Sequence, residues 1–403
     1  MLQSINTTNT LMTREKRMPA FFRYLLYFYF FISFYEPFLN GVIGSVMKYY
    51  IFFVMGLLLL FYREIRFSGY LFSYLIWLVY KFTSLLWTTD YSMFNATVIS
   101  QIGMVAWLIC LTGVDMDGET LDGIVNSIAI GSFSIGLLSI FFSEAYHGRV
   151  EARQVLTLFG VQSEPNNQGA YIAIGFTIFL YRILNSEKNR LLYGIALLVN
   201  AYATLKTGSR TGLTTLAVVA LAIFFVSARK EGFSAFKGII MGTIAFVTLY
   251  FIVKEYLPQN TFDRLFEFDT YEGGSNRDLL WENALELYKK DLNPIFGAGW
   301  GACFGYNGVY KGVHNTYLGM LCDVGIIGFL LFFIPILNAI WQLWKKREIL
   351  PICFFVTAAV PAFFIEAINK RYFWNPVILL FLYYERSKLE NESEEKELSS
   401  DES

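Results

Sequence analysis

The sequence predicts an all-α, polytopic integral membrane protein with about twelve transmembrane helices and one large external loop. Of its 403 residues, 55% are hydrophobic and only 16% are charged, whereas soluble domains contain about 25% charged residues. The 40 Phe and 26 Tyr residues exceed what one soluble core would bury, but lipid can cover Phe and the membrane interfaces suit Tyr. The four cysteines form no Cys-x-x-Cys pair, so neither a disulfide framework nor a zinc site is predicted.

Apolar runs of about 20 residues are long enough to cross the hydrocarbon core, and such runs recur along the chain. The predicted spans are 20–35, 41–62, 69–87, 93–113, 121–143, 167–184, 190–207, 211–228, 236–256, 322–345, 350–368 and 372–385. No removable signal peptide is predicted, because the first apolar run has no small-residue cleavage site. Residues 1–385 should form a single transmembrane domain, and the acidic segment 386–403 a disordered cytoplasmic tail.

The orientation follows from the cations in the short connections between spans. They cluster in one alternating set of connections: 14–23, 63–66, 188–190, 229–230, 345–347 and 386–388. Because cytoplasmic loops carry an excess of Lys and Arg, both termini are predicted to lie in the cytoplasm. The segments 144–166, 209–210, 257–315 and 369–371 then fall on the outer side.

Several cations oppose this bias because they lie in the outer segments. They are Arg149, Arg153, Lys206, Arg210, Arg264, Arg277, Lys311, Lys370 and Arg371. Each of them either binds an anionic group, such as a headgroup or a pyrophosphate, or pairs with a nearby acid such as Glu151, Asp263 or Glu366. Arg210 has no acidic neighbour within several positions, so its place at a membrane edge favours an interfacial ionisable site.

The segment 257–315 is the one sizeable polar stretch between apolar runs, and it should cover a site at the membrane surface. Ser275 and Asp278 are typical of a helix start, and Leu280, Ala284, Leu287 and Asp291 then follow roughly on one stripe. Such a helix should lie on the membrane surface or pack on the ends of the spans.

A glycine cluster follows at Gly297, Gly299 and Gly301. Closely spaced glycines allow backbone N–H groups to converge on an anion, but a simple tight loop is the commoner explanation of such a cluster. No Lys-Ser/Thr pair follows, so the cluster is not a nucleotide-binding P-loop.

His314 stands where the polar segment meets the next apolar helix, and it is the candidate proton acceptor. Asp323 lies nine residues later, on the opposite face of a continuous helix, so it is not expected to orient the histidine. His147, in the other outer loop, is the less favoured alternative.

Three blocks of sequence resemble the O-antigen ligase and polymerase superfamily, the Wzy- and WaaL-like membrane glycosyltransferases. Gly208-Ser209-Arg210-Thr211-Gly212 is similar to the family's Ser-Arg motif at a broken helix. The segment 277–301 resembles its run of an Arg, a Trp-bearing helix and Pro-x-x-Gly-x-Gly, and 314–328 its His-Asn-x-Tyr-Leu and acidic-x-Gly-x-x-Gly pattern. Pro165-Asn166 is similar to a further motif, so the resemblance covers roughly residues 160 to 330.

This resemblance implies a GT-C-like fold and a metal-independent glycosyl transfer, without a cofactor, from a saccharide linked to undecaprenyl pyrophosphate. It assigns Arg210 and Arg277 to the pyrophosphate, with Arg264 and Arg153 as weaker candidates, because arginine binds phosphate oxygens bidentately. It assigns His314 to the acceptor hydroxyl. Implied partners are membrane lipid, a chain-length regulator and a flippase in the cytoplasmic membrane; no nucleic acid is expected.

Polymerisation of lipid-linked repeat units for O antigen, capsule or exopolysaccharide is the favoured function. The nearest alternative is a ligase that transfers the finished glycan to lipid A core or another acceptor, since donor and chemistry are shared. An alternative of another class is a flippase for the same units. A flippase should show pseudo-symmetric halves and cations lining a central cavity, whereas this chain concentrates its polar residues on one side.

Overall fold

The computed structural model describes residues 18–61, 66–88, 91–147, 150–185, 188–230, 251, 254–266 and 277–401. Helices dominate these residues. They are α1 (Ala20–Ile32), α2 (Glu36–Ile43), α3 (Val46–Phe61), α4 (Gly69–Thr83), α5 (Ser92–Thr112), α6 (Gly118–Phe141), α7 (Pro165–Asn185), α8 (Arg190–Lys206), α9 (Arg210–Lys230), α10 (Gln259–Phe266), α11 (Arg277–Tyr288), α12 (Asn293–Phe296), α13 (Thr316–Lys345), α14 (Leu350–Ala362) and α15 (Arg371–Asp401).

Within the described parts of the chain, four helical segments are long and apolar enough to cross a membrane. They are Gly69–Leu86, Ser92–Thr112, Gly118–Phe141 and Thr316–Lys345. The pair Ala20–Ile43 and Val46–Phe61, bent by 119°, would be a fifth span if it crosses as one unit. A helical membrane protein is therefore supported, while the number of about twelve spans stays a prediction. Most of the span at 236–256, namely 236–250 and 252–253, lies outside the described residues.

Helix α7 lies at the centre of the bundle. Fifteen of its 21 residues are buried, and it packs against α6, α8, α9 and α14. Gly175 permits the close approach of α6, since a Cβ there would lie 2.3 Å from Oγ of Ser132. Burial on all sides makes α7 a fixed support for the residues at its first turn.

A small antiparallel sheet, ordered β1-β2-β3, interrupts the helices where a loop was expected. Its strands are β1 (Ser143–Tyr146), β2 (Val150–Leu158) and β3 (Val161–Gln162). The Gln162 side chain fixes the hairpin, because its Oε1 accepts from the N–H of His147 at 2.8 Å and its Nε2 donates to O of Ala145 at 3.1 Å. The all-α prediction is therefore wrong in this segment. The three strands are short and contain no long apolar run, so the sequence pattern did not reveal them.

The helix predicted in the polar segment is confirmed as α11, and it packs against α13. Leu280, Ala284 and Leu287 are buried as one stripe. Asp291, predicted on the same stripe, is instead exposed beyond the end of the helix, with φ of 46°. The stripe therefore holds α11 over the end of the bundle.

The last helix, α15, begins at Arg371, whose buried guanidinium pairs with Glu36 of α2. It continues to Asp401, through the segment 386–401 for which a disordered tail was predicted. Glu and Lys are good helix formers, so a run rich in both can extend a helix that packing has already started.

The segments predicted to be external gather at one end of the bundle. The start of α7 contacts the break between α8 and α9 through Asn166 and Ser209, and the start of α13 contacts the loop after α14 through Thr316. Helix α6 begins at the opposite end, where Glu119 pairs with Arg23 at 3.1 Å. The orientation of these ends across the membrane stays a prediction.

Candidate active site

Asn166, in the first turn of α7, is the centre of a hydrogen-bond network and is only 7% exposed. Its Nδ2 donates to Oε1 of Glu164 at 2.8 Å. Its Oδ1 accepts from Oγ of Ser209 at 2.8 Å and from Nη2 of Arg153 at 3.4 Å. One amide therefore joins the start of α7 to strand β2 and to the break between α8 and α9.

Glu164 caps the buried helix α7. Its Oε2 accepts from the backbone N–H of Asn167 at 2.7 Å, and a carboxylate is favoured at a helix N-terminus by the free N–H groups and the helix dipole. Pro165 follows at the first helical position, where its missing N–H is not needed. The Glu164 carboxylate is thereby held at a fixed position among the arginines described next.

The break between α8 and α9 places Arg210 at the start of α9. Gly208 provides the turn with φ of 60°, and Oγ of Ser209 accepts from the N–H of Gly212 at 3.0 Å as a helix cap. Nε of Arg210 donates to O of Arg264 at 2.9 Å, and Nε of Arg264 donates to O of Gly208 at 3.2 Å. These reciprocal bonds tie α9 to α10 and fix the planes of both guanidinium groups.

Arg153 and Arg277 stand in the field of other cations. Burial and the charge of Arg264 lower the pKa of Arg153 to about 10, against the opposing effect of Glu164. Burial also lowers the pKa of Arg277, where Glu164 again opposes the effect and Arg264 adds to it. Both arginines remain protonated at neutral pH. Because their guanidinium groups lie close to each other and to Arg264, they produce a concentrated positive potential that suits a polyanion.

His314 lies beside this cluster with an exposed side chain and φ of 52°, directly before Asn315, which caps α13. Although the residue is exposed to solvent, desolvation by the neighbouring protein groups lowers the pKa of His314 below its ordinary value of 6.5. Arg277 and Lys311 lower it further, and Glu164 opposes them. The imidazole is therefore neutral at pH 7 and able to accept a proton.

The structure thus brings together the five residues that were predicted to form the site. They are Arg153, Arg210, Arg264, Arg277 and His314. They come from β2, α9, α10, α11 and the loop before α13. A site assembled from five separated segments is typical of a functional site on a rigid scaffold. Their roles in binding or catalysis stay predictions.

Other outer cations have structural partners. Nζ of Lys206 donates to O of Ile140 at 2.9 Å and so caps the end of α6. Arg371 pairs with an acid, as the second explanation for the outer cations predicted. Its partner is Glu36 in α2, which is distant in the sequence. Arg149 lies outside the described residues.

His147, the less favoured histidine, lies at the tip of the hairpin between β1 and β2. Its side chain is exposed, and its ring lies 4.0 Å from that of Tyr146, measured between centroids. This position makes His147 a useful comparison residue for His314, because both are exposed histidines with positive φ.

The backbone amides of the glycine cluster are engaged within the protein. Gly299 donates to O of Asp323 at 3.1 Å and Gly301 to Oδ1 of Asp323 at 2.9 Å. The N–H of Trp300 donates to Oγ of Ser84 at 3.0 Å. These three amides donate to groups within the protein, so the tight loop, which is the commoner explanation of such a cluster, is confirmed.

The glycines instead allow two backbone segments to touch. Gly297 has φ of 83°, and a Cβ there would lie 2.3 Å from O of Asp323. Gly325, at a break inside α13, has φ of 60°, and its Cβ would lie 2.3 Å from O of Ile295. The two motifs therefore form one packing unit, in which the segment 295–297 lies against the break in α13.

Asp323 belongs to this packing unit through a buried ion pair. Its Oδ2 lies 3.3 Å from Nζ of Lys81, and that ammonium lies 4.6 Å from the ring centroid of Trp300. Asp323 thus orients the loop through Lys81 and Gly301, in line with the expectation that it does not orient His314. Lys81 was missed by the sequence reasoning, although a lysine within the apolar helix α4 is itself a signal.

Glu164 was also missed. The resemblance pointed to Pro165-Asn166, but the charge next to it was not considered. The signal was available, because a carboxylate directly before Pro at a helix start is a typical cap, and this cap falls in an outer segment rich in arginine.

Residues 195–333 match the family model described as O-antigen ligase. This segment contains all three sequence blocks that carry the resemblance, and the match supports membership of the O-antigen ligase and polymerase superfamily. No curated protein matches the chain.

Proposed function

We propose that this chain, a member of the O-antigen ligase and polymerase superfamily, joins oligosaccharide repeat units that are linked to undecaprenyl pyrophosphate. The gathering of Arg153, Arg210, Arg264 and Arg277 beside His314 carries the proposal. Planar guanidinium groups bind phosphate oxygens bidentately, and several of them in one place suit the two phosphates of a lipid pyrophosphate. The family match supports a glycosyltransferase-like enzyme.

In the proposed reaction, an acceptor sugar hydroxyl attacks the anomeric carbon of the donor. The new C–O bond forms as the bond from that carbon to the pyrophosphate oxygen breaks, so the anomeric centre is inverted. The hydroxyl proton passes to His314, and the electron pair leaves on undecaprenyl pyrophosphate. The arginines stabilise the charge that develops on the leaving group, and the binding of both substrates positions the reacting atoms.

We place this reaction, which needs no metal, on the outer face of the cytoplasmic membrane. The product would be a surface polysaccharide such as O antigen, capsule or exopolysaccharide. A flippase would deliver the donor, and a chain-length regulator is a further expected partner. The polar end of the bundle supports this placement because the predicted outer segments meet there.

A ligase is the second candidate, because the matching family model is described as O-antigen ligase. A ligase would use the same donor and the same arginines. It would differ in its acceptor, which would be lipid A core or another molecule instead of a repeat unit.

The test is the surface polysaccharide of a deletion strain complemented with His314→Ala or Arg210→Ala. His147→Ala is the matched control, since it removes the other exposed histidine. Gels should show a wild-type ladder with His147→Ala and no restoration with the other two variants, at equal protein levels on blots.

The deletion strain itself separates the two candidates. Single repeats on the final acceptor indicate a polymerase, whereas polymer that accumulates on the lipid carrier indicates a ligase. A wild-type ladder from both His314→Ala and Arg210→Ala would overturn the assignment of the active site.

A further inference from the structure

Glu164 places one negative charge beside the arginine cluster, and neutral donors fix it there. Its Oε1 accepts from Nδ2 of Asn166 at 2.8 Å, and its Oε2 accepts from the backbone N–H of Asn167 at 2.7 Å. Asn166 in turn accepts from Nη2 of Arg153 at 3.4 Å. Because both carboxylate oxygens are engaged at the start of the buried helix α7, the charge keeps its place when a ligand enters the cluster.

The charge of Glu164 acts on the cluster across space and not through direct ion pairs. In the parts of the chain that the structure describes, neither Arg153 nor Arg277 forms an ion pair with it. Nε of Arg153 is buried and has no hydrogen-bond partner among the described residues. The guanidinium groups are thus available to an anion, while a fixed carboxylate stands near them.

Side chains from five segments lie within reach of this carboxylate charge. They are Tyr146 of β1, Arg153 of β2, Arg277 of α11, His314 of the loop before α13 and Tyr372 of α15. The charge opposes the fall in pKa that desolvation and the neighbouring cations cause at both arginines and at His314. Among the described residues, Glu164 is therefore the acid whose field these three cationic or basic groups share.

A pyrophosphate site must release its product as well as bind its substrate. In the proposed reaction, the leaving group carries more negative charge than the donor, because a free terminal phosphate replaces the phosphate ester. Arginines without a counter-charge would therefore hold the product more tightly than the donor. We propose that Glu164 is the fixed counter-charge of the arginine cluster, which limits the affinity for the pyrophosphate product and so permits its release. This inference rests on the proposed function and assigns product release at that site to one residue.

The test measures the binding of undecaprenyl pyrophosphate to the purified full-length protein in nanodiscs. Glu164→Gln removes the charge and keeps the size of the side chain. It should lower the Kd about 5- to 20-fold, since one repulsive charge near a partly buried site is removed. The gain should be smaller for undecaprenyl monophosphate, which carries less charge, and should shrink as salt is added. Damage to the fold would weaken binding, so it cannot produce this result.

A second variant and a control separate the charge from the helix cap. Glu164→Ser is also neutral but is a good N-cap, and it should lower the Kd in the same way. Glu119→Gln is the matched control, because Glu119 is also a carboxylate at the start of a helix. It pairs with Arg23 at 3.1 Å at the opposite end of the bundle, so its loss should leave the Kd within about twofold of wild type.

The pH–rate profile gives an independent readout. The charge of Glu164 raises the pKa of His314, whereas Arg277 and Lys311 lower it. In Glu164→Gln the protonated imidazole loses a favourable neighbour, so the acidic limb of the profile should move to lower pH.

The inference is overturned if both neutral variants bind undecaprenyl pyrophosphate with the wild-type Kd or more weakly, or if Glu119→Gln tightens binding equally. An acidic limb that does not move would also contradict it. Failure of the proposed function gives a different result, because the wild-type protein would then neither bind undecaprenyl pyrophosphate nor turn over the lipid-linked donor.

Discussion

Replacing Asn166 with Ala should lower the activity of the site although every charged residue in it is kept. The substitution removes the hydrogen bonds to Ser209 and Glu164, both at 2.8 Å, and the longer one from Arg153 at 3.4 Å. The guanidinium of Arg153 and the turn before Arg210 would then lose their common support.

The expected size follows from these bonds. The neutral bond to Ser209 contributes about 1 kcal/mol and the charged bond to Glu164 about 2 kcal/mol, while the long bond from Arg153 adds little. A loss of about 3 kcal/mol corresponds to roughly 100-fold in rate at 1.4 kcal/mol per tenfold. Part of it will appear as lower stability, so we expect kcat/KM to fall about 10- to 100-fold.

The assay is kcat/KM with the lipid-linked donor, measured together with the melting temperature. Asn126→Ala is the control, because this exposed asparagine accepts a hydrogen bond at 2.5 Å from Arg182, elsewhere in the bundle. Asn126→Ala should leave kcat/KM within about twofold of wild type. If Asn166→Ala also stays within that range, the network does not position the site and the reasoning fails.

Three further predictions concern other parts of the structure. Lys311→Met removes a charge that lowers the pKa of His314, so the acidic limb of the pH–rate profile should move to higher pH; an unmoved limb contradicts His314 as the base. Gly297→Ala should lower the melting temperature more than Gly308→Ala, because both have positive φ but only the first meets a backbone carbonyl at 2.3 Å; equal losses would refute the packing role. Arg371→Met leaves its partner carboxylate in α2 unpaired and should cost about 3–5 kcal/mol; an unchanged denaturation midpoint would argue against this pair.

Hydrophobic periodicity and cation placement predicted much of this molecule. The helix at 277–288 was predictable because Leu280, Ala284 and Leu287 are spaced to share one face of a helix. The structure buries these three residues. The arginines stood out because they opposed the positive-inside bias, a signal that needs no structure. Their convergence could not be predicted, because it depends on α7, which brings Glu164 and Asn166 to the same end of the bundle.

Features that depend on tertiary packing were missed or misjudged. The sheet at 143–162 is held by backbone pairing of its strands and by side-chain bonds of Gln162, and strand propensity does not encode the latter. The glycines at 297–301 fit both an anion cradle and a tight loop in sequence, and only their contact with Asp323 separates the two. Helix α15 continues beyond its apolar part into 386–401, because the packed part of the helix has already started it. The charged composition of that segment, taken alone, favoured disorder.

Binding of undecaprenyl pyrophosphate to the purified protein tests the central claim most directly. Removing a bidentate arginine should weaken binding at least about tenfold, so Arg277→Gln should raise the Kd by this factor. His314→Ala should bind like wild type and yet fail to turn over the lipid-linked donor. A wild-type Kd for Arg277→Gln would contradict the assignment of the arginine cluster to the pyrophosphate.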